Sequence, residues 1–440
     1  MSLISSEPAH SGHGQDLGLA DELLIDANPD DTLTSAQAKP QTAAQRSSVA
    51  RIILGISLVM IAFNLRPVFS SASTLLPEIR DGLGLSALGA SLLTTLPVLC
   101  LGVFSPLAPK LSDRFGAEKT LLAVMALLAI GTALRGIPSI PPLFFGTALA
   151  GACIAVGNVL LPGLVKRDFP QQAALMTGFY TMALCGGAAA AAGLTLPIEA
   201  ASGGSMAVGL AVWALPAAVV FLLWLPQAFS AHGHRPGLRV QVQGLWRDRL
   251  AWNVTLYTGL QSALAYCVFG WLVPILRERG LDGVTAGAVV SVSVMVQAAA
   301  CIFAPHLAVR GRDQRLINAA VAILAVIALF GLLFAPLSTL WIWAVLQGIG
   351  QGSLIALAMT AIVLRSGNPQ IAAHLSGMAQ CVGYCLAAVG PLLVGLIHGF
   401  TGSFAWSGLL FAALGLGAAW HGWRAGRDLQ VNVVLSEKSH

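Results

Sequence analysis

Twelve long apolar runs constrain this chain more than any other feature of its sequence. A helix needs roughly 20 apolar residues to cross the hydrocarbon core of a bilayer. Backbone polar groups in hydrocarbon must pair with one another, which leaves helices or closed barrels, and these runs are continuous rather than alternating. They lie near 52–75, 88–109, 120–136, 141–165, 173–197, 207–226, 251–276, 284–308, 315–334, 337–364, 372–397 and 403–423. We therefore predict an all-α polytopic membrane protein with twelve transmembrane helices.

The composition supports this class and disfavours the main alternatives. Apolar residues make up 56% of the chain and charged residues 10%, whereas soluble domains carry about 25% charged side chains. The seven cysteines all lie inside apolar runs, and their odd number argues against a disulfide framework. The sequence has no Walker motif, no zinc-ligand spacing and no paired carboxylates. We therefore expect no enzyme activity, no cofactor, no metal and no nucleic-acid partner, and we expect a monomer in the lipid bilayer.

The distribution of Lys and Arg predicts the orientation of the chain. Nineteen of them lie in the terminal segments and in the even-numbered loops, and four lie on the other side: Arg80, Arg135, Arg277 and Arg279. Basic residues accumulate on the cytoplasmic side of membrane proteins. Both termini are therefore predicted to face the cytoplasm.

The polar segments divide the chain. Residues 1–50 hold seven carboxylates, two basic side chains and no aromatic residue. This composition predicts a disordered acidic tail. A basic stretch at 227–250 reads as a linker between a six-helix bundle at 51–226 and a second one at 251–425, with a cytoplasmic tail at 426–440.

Short motifs recur at nearly one offset along the two halves. Pro77 and Arg80 recur as Pro274 and Arg277, 197 residues later. Residues 108–114 recur at 304–310 and residues 170–178 at 369–377, at offsets of 196 and 199. The two bundles are therefore predicted to be pseudo-symmetric copies, an arrangement of transporters whose site lies between the halves near the midplane.

Arg66 is the most informative single residue. It follows Arg51 by 15 residues, about 22 Å of helix, so it lies well inside the membrane. A guanidinium keeps its proton there and must face protein, water or an anion. The next residue, Pro67, has no N–H, which frees the carbonyl of Phe63 and favours a kink. We interpret Arg66 as a substrate-binding cation; the alternative is a structural Arg that caps the freed carbonyls.

No Asp or Glu lies in the interior of any apolar run, so nothing in the sequence obviously neutralises Arg66. An anionic or strongly dipolar solute would fit this vacancy. Amides, hydroxyls and aromatic rings inside the runs could complete such a pocket, although helix–helix hydrogen bonds account for any single one of them equally well. Gln347 and Gln351 share one helix face at i, i+4.

The second loop contains Asp113, Arg114 and Gly116, which fit a tight turn that locks neighbouring helices. With the twelve runs and the duplication, this loop resembles the major facilitator superfamily. The motifs Asn64-Leu65-Arg66-Pro67, Leu92-Leu93-Thr94-Thr95-Leu96-Pro97-Val98 and Trp271-Leu272-Val273-Pro274 are similar to those of its cyanate and 2-nitroimidazole transporter branch.

This resemblance implies a bacterial inner-membrane porter for a small anion or nitroheterocycle, with helices one, four, seven and ten lining the cavity. The candidate substrate-binding residues are Arg66, Asn64, Asn158, Gln261, Tyr266, Gln347 and Gln351. We therefore hypothesise alternating-access transport with Arg66 as the anchor. Multidrug efflux by the same fold and, less favoured, a membrane sensor signalling through the acidic tail are the alternatives.

Overall fold

The computed structural model describes residues 48–230, 240–308, 310–311, 313–367 and 369–437. The predicted acidic tail lies outside these residues except for its last three, and so does the sensor hypothesis that depends on it. Part of the predicted linker and the end of the C-terminal tail also lie outside them.

The described chain is built from α-helices joined by short connections. Their bounds are α1 Ser48–Asn64, α2 Pro67–Thr74, α3 Leu76–Leu83, α4 Ala87–Phe104, α5 Leu107–Phe115, α6 Ala117–Leu134, α7 Ile140–Asp168, α8 Ala173–Ala201, α9 Met206–Ala211, α10 Ala214–Ser230, α11 Arg249–Glu278, α12 Gly283–Ala308, α13 Arg315–Phe334, α14 Leu340–Leu364, α15 Pro369–Thr401 and α16 Ser407–Ala425. Single 3₁₀ turns lie at Pro170–Gln172, Leu245–Arg247, Leu337–Thr339 and Phe404–Trp406.

Twelve spans long and apolar enough to cross a membrane arise from these helices, which confirms the predicted number. Helices α1 and α2 together form the first span, and α9 and α10 form the sixth. The short helices α3 and α5 lie in the first and second connections. The tenth and twelfth spans each begin with a 3₁₀ turn, and the other spans are single helices.

Local signals set several helix ends. Asp248 begins α11, where its Oδ1 accepts a hydrogen bond from the backbone N–H of Ala251 at 2.7 Å. This satisfies one of the donors that a helix start leaves free. Gly116 ends α5 with a φ of +86°, a conformation that glycine adopts at little cost. The chain turns there directly into α6.

The helices pack as two six-helix bundles. In the first bundle α7 packs against α4 and α6, and α6 packs against α10. In the second bundle α11 packs against α15 and α16, α12 against α14, and α13 against both α14 and α16. The main contacts between the bundles join α2 with α11, α4 with α15, and α8 with α12, and α4 also contacts α11. The interface between the bundles is thus formed by the first, second, fifth, seventh, eighth and eleventh spans.

The two ends of the spans differ in charge. We call the end that carries Arg51 and Arg365 the basic side, and the end that carries Glu78, Arg135 and Arg277 the opposite side. The bundles are in close contact at the opposite side. There Nη1 of Arg277 donates to Oε1 of Glu78 at 2.8 Å, and Oγ of Ser291 donates to the carbonyl of Ala189 at 2.7 Å.

A two-stranded antiparallel sheet lies outside the spans and was not predicted. Strand β1 (Val240–Gln243) comes from the linker and β2 (Val434–Glu437) from the C-terminal segment, with Val240 paired to Glu437. Nearby, Leu245 and Val431 are buried in one apolar cluster at the basic side of the second bundle. This cluster and the sheet fasten the linker and the C-terminal segment to the same bundle.

Candidate functional site

The first span is interrupted at Arg66. Helix α1 ends at Asn64 and α2 begins at Pro67, so Leu65 and Arg66 are not helical. The predicted break therefore occurs next to Pro67, whose ring has no N–H for the carbonyl of Phe63. That carbonyl faces α8, where a Cβ on Gly187 would stand only 2.0 Å from its oxygen. Glycine at 187 is thus what lets α8 approach the break so closely.

The guanidinium of Arg66 reaches from the first bundle to the second. Its Nη1 donates a hydrogen bond to Oη of Tyr266 on α11, with an N···O distance of 3.2 Å. Its Cζ lies 5.7 Å from the ring centre of Tyr266 and 5.5 Å from that of Phe269. Both distances are in the range of cation–π attraction. The structure therefore brings together two of the predicted site residues, Arg66 and Tyr266.

Four aromatic rings surround this contact. We call them the aromatic box: Phe69, Tyr266, Phe269 and Tyr384. The ring centre of Tyr266 lies 5.3 Å from that of Phe69, 6.2 Å from that of Phe269 and 6.2 Å from that of Tyr384. Phe69 and Phe269 each follow a site residue by three positions, the spacing of neighbours on one helix face. That spacing is the signal from which sequence reasoning could have added them.

Arg66 has no acidic partner in the part of the chain that the structure describes. The ion pairs found there lie at the helix ends, as between Arg277 and Glu78 or between Arg167 and Glu118. Among the described residues, the Tyr266 hydroxyl is the acceptor of the guanidinium, and no described backbone carbonyl accepts from it. The alternative of an Arg that caps the broken helix is therefore not what the described contacts show.

The three predicted glutamines form a separate buried cluster within the second bundle. Nε2 of Gln351 donates to the backbone carbonyl of Gln261 at 3.2 Å. Oε1 of Gln261 and of Gln351 has no partner, and neither amide atom of Gln347 has one, among the described residues. Gln347 is fully buried. Unpaired buried amides are costly, so these glutamines lower the stability of the second bundle.

The two predicted asparagines contribute differently. Nδ2 of Asn64 donates to the carbonyl of Met60 on its own helix at 2.9 Å, so this amide group serves the end of α1. Asn158 lies half-buried on α7, and no hydrogen bond joins it to Arg66 in the described part of the chain. Neither side chain is therefore tied to Arg66 by a described contact.

The predicted conformational loop lies at the basic side between α5 and α6. Arg114 lies near the end of α5 with its Cζ 5.3 Å from the ring centre of Phe115. After Gly116, Glu118 in the first turn of α6 pairs with Arg167 at the end of α7 at 2.6 Å. The loop therefore lies where an ion pair links two neighbouring spans.

Backbone contacts at the opposite side leave little space between the bundles. A Cβ on Gly287 would stand 2.2 Å from the carbonyl of Ala192, and one on Gly395 would stand 1.9 Å from Oγ of Ser91. Toward the basic side, a Cβ on Gly178 or on its repeat equivalent Gly377 would meet no described atom within 4 Å. Tight glycine contacts between the bundles thus occur at the opposite side, and Gly102 of α4 makes a further one against Cys385 of α15 nearer the basic side.

Comparison with known proteins gives consistent matches over most of the chain. Residues 52–345 match the family model described as Major Facilitator Superfamily. The 2-nitroimidazole transporter of Escherichia coli is 40% identical over 87% of this chain and 97% of its own length. The cyanate transport protein CynX of the same organism is 27% identical over 79% and 90%.

Solved structures give the same fold. A bacterial homolog of the human lysosomal transporter Spinster, in an inward-facing and occupied conformation, has a TM-score of 0.65. It is 16% identical, and the match covers 86% of this chain and 93% of that one. At this identity the likeness concerns the fold alone.

Proposed function

The chain belongs to the Major Facilitator Superfamily, in the branch that includes the 2-nitroimidazole and cyanate transporters of Escherichia coli, and from this we propose what it carries and how. It is a multi-pass membrane transporter. Its solute is a small anionic or polar molecule, of the kind of a cyanate-like anion or a nitroheterocycle. Transport proceeds by alternating access, with Arg66 as the substrate anchor.

One observation carries this proposal: a guanidinium in the interior of the first span whose described protein partner is a neutral hydroxyl. A charge in the bilayer interior is costly and usually marks a substrate or ion path. Arg66 is only partly buried, so its remaining N–H groups are open to a solute. An anion bound there would supply the counter-charge that the described residues do not.

The position of Arg66 between the bundles supports alternating access. Its hydrogen bond to Tyr266 joins α11 to the break between α1 and α2. In our proposal the segments 51–226 and 251–425 move as two bodies about this point. The Glu78–Arg277 pair closes the opposite side in the described conformation, and the solute reaches Arg66 from the basic side. Release on the other side requires this ion pair to break.

The basic side faces the cytoplasm in this proposal, because it carries most of the Lys and Arg residues. Both termini then lie in the cytoplasm, and the membrane is the bacterial inner membrane. The proposed working unit is the monomer, since one chain contains both bundles.

Reconstituted vesicles test the anchor role. Uptake of cyanate and of 2-nitroimidazole is measured for the wild type, for Arg66→Ala and for Arg249→Ala, which removes an exposed guanidinium at the start of α11. We expect Arg66→Ala to abolish uptake and Arg249→Ala to retain it. Uptake by Arg66→Ala at the wild-type rate would remove Arg66 as the anchor.

The aromatic box favours one competing function, efflux of hydrophobic drugs. Four rings around one charge would suit a large apolar cation or neutral drug as a stacking surface. The presence of an unpaired guanidinium argues against a cationic drug because like charges repel. Expression in a drug-sensitive host decides between them: increased resistance to lipophilic drugs would support efflux, and unchanged resistance would support the small solute.

A further inference from the structure

The guanidinium of Arg66 has one edge engaged and one edge free. Nη1 donates to Oη of Tyr266, and neither Nε nor Nη2 has a partner among the described residues. A guanidinium is a rigid planar fork whose parallel N–H groups match two oxygens held in one plane. The free edge is therefore suited to a group with two coplanar oxygens. A linear triatomic anion presents only one terminal atom to it.

Aromatic rings lie close to the same guanidinium. The Cζ of Arg66 lies 5.5 Å from the ring centre of Phe269 and 5.7 Å from that of Tyr266. Tyr384 presents its ring at 73° to that of Tyr266, and Phe69 lies at 36° to it. The rings of the box are inclined at different angles. A planar aromatic ring of a solute can stack on the face of one of them and make an edge-to-face contact with another. A saturated ring of the same size gains only its apolar contact there.

The charge of the site limits the charge of the solute. Among the described spans, Arg66 is the cation at the aromatic box. The second repeat does not supply a second cation there, because the residue equivalent to Arg66, 197 positions later, is Ala263. One guanidinium balances one negative charge. A solute with two charges would leave the second one uncompensated inside the membrane.

We propose that this site is built for a planar aromatic or heteroaromatic monocarboxylate. The carboxylate accepts two hydrogen bonds from the Nε and Nη2 edge of Arg66, and the ring lies against the aromatic box. This inference rests on the proposed transport function and adds to it the chemical class of the preferred solute. Phe269 is then a specificity-determining residue, because its face supplies stacking without contributing a polar contact.

Calorimetric titration of the purified full-length protein in detergent tests the inference. Binding is used rather than uptake because protonated aromatic acids cross lipid unaided. The probes are benzoate and cyclohexanecarboxylate, which share charge and approximate size and differ in the planarity and π-electrons of the ring. We expect benzoate to bind about ten-fold more tightly. Equal affinities for the two probes would overturn the inference.

Two matched variants locate the effect. Phe269→Leu keeps an apolar side chain and removes the ring, and we expect it to bring the benzoate preference to within about two-fold of unity. Phe330→Leu removes a ring from a separate aromatic pair on α13 and is expected to keep the full preference. A preference that survives Phe269→Leu would overturn the role of the box. The melting temperature of each apo variant shows that it is folded.

The same titrations separate this inference from the function on which it rests. Suppose that the wild type binds cyanate or 2-nitroimidazole but not benzoate, and that Arg66→Ala loses this binding. This result would overturn the inference and leave the proposed function. Binding of all probes by Arg66→Ala at wild-type affinity would overturn both.

Discussion

Phe69 and Tyr266 stand 197 positions apart in the sequence, and their ring centres lie 5.3 Å apart in the structure. This is the same offset that separates Pro77 from Pro274. Equivalent residues of two copies meet only near the axis that relates the copies. The pseudo-two-fold axis between the bundles therefore passes close to this ring pair, next to Arg66.

The hydroxyl of Tyr266 is predicted to orient Arg66. Tyr266→Phe keeps the ring contact with Phe69 and removes the acceptor of the 3.2 Å hydrogen bond. A hydrogen bond to a charged group is worth about 1.5–3 kcal/mol, so we expect the KM for cyanate uptake to rise by about ten-fold or more. Tyr257→Phe is the matched control on the same helix, because the hydroxyl of Tyr257 is buried and has no partner among the described residues. An unchanged KM in Tyr266→Phe would contradict the orienting role.

The Glu78–Arg277 pair is predicted to favour the conformation closed at the opposite side. Each side chain is 27% exposed, so the pair is worth about 1 kcal/mol at most. Glu78→Gln should therefore increase the open population by about two- to five-fold, and the double variant Glu78→Arg with Arg277→Glu should reverse the change.

A cysteine at Ser91 reports this opening. Ser91 is fully buried against Gly395 in the described conformation. In a protein whose native cysteines have been replaced, a membrane-impermeant maleimide added at the opposite side should label Ser91→Cys faster when Glu78 is Gln. Equal labelling rates in both backgrounds would exclude a gating role for the pair.

The close approach at Gly187 is predicted to require glycine for full stability. A Cβ there would stand 2.0 Å from the Phe63 carbonyl oxygen, and two backbones would have to move apart. We expect Gly187→Ala to lower the free energy of unfolding by about 1–3 kcal/mol or more. On the same helix Gly178→Ala meets nothing within 4 Å and should be neutral or stabilising by up to about 1 kcal/mol. Thermal melting in detergent compares the two, and equal melting temperatures would refute the expected difference.

The buried amide of Gln347 is predicted to serve transport at the expense of stability. Because neither of its amide atoms has a described partner, Gln347→Leu should raise the free energy of unfolding by about 1–3 kcal/mol. If the amide contacts the solute, the same variant should transport several-fold more slowly. Gln380→Leu is the control, since Nε2 of Gln380 already donates to Oγ of Ser376 at 2.9 Å. A stabilised Gln347→Leu with full transport would remove this residue from the site.

The number and the positions of the spans could be predicted from the sequence. Each span is a long apolar segment whose backbone must be helical in lipid. The sequence also located the break at Arg66, because Pro67 and the cost of a buried charge are both local properties. The association of Arg66 with Tyr266 was within reach of the family resemblance, which placed both in the central cavity.

Contacts between distant helix faces were not predictable in the same way. Tyr384 and Gly187 reach the site from α15 and α8, and nothing local in their runs distinguishes them from residues that pack elsewhere. Asn64 is predicted to bind solute, and its Nδ2 donates to the carbonyl of Met60 in its own helix. Whether a polar side chain bonds within its helix or faces a cavity depends on tertiary packing, which periodicity does not encode.

The sheet between the linker and the C-terminal segment bears on how the protein is made. Strand β1 is synthesised before the second bundle and β2 after it, with about 190 residues between them. At translation speeds of about 5–20 residues per second, β1 waits roughly 10 to 40 s for its partner. During that interval the six spans of the second bundle enter the bilayer, and the strand at 240–243 has not yet paired with β2. Ribosome-associated chaperones or the insertion machinery therefore have a defined window in which to meet this edge.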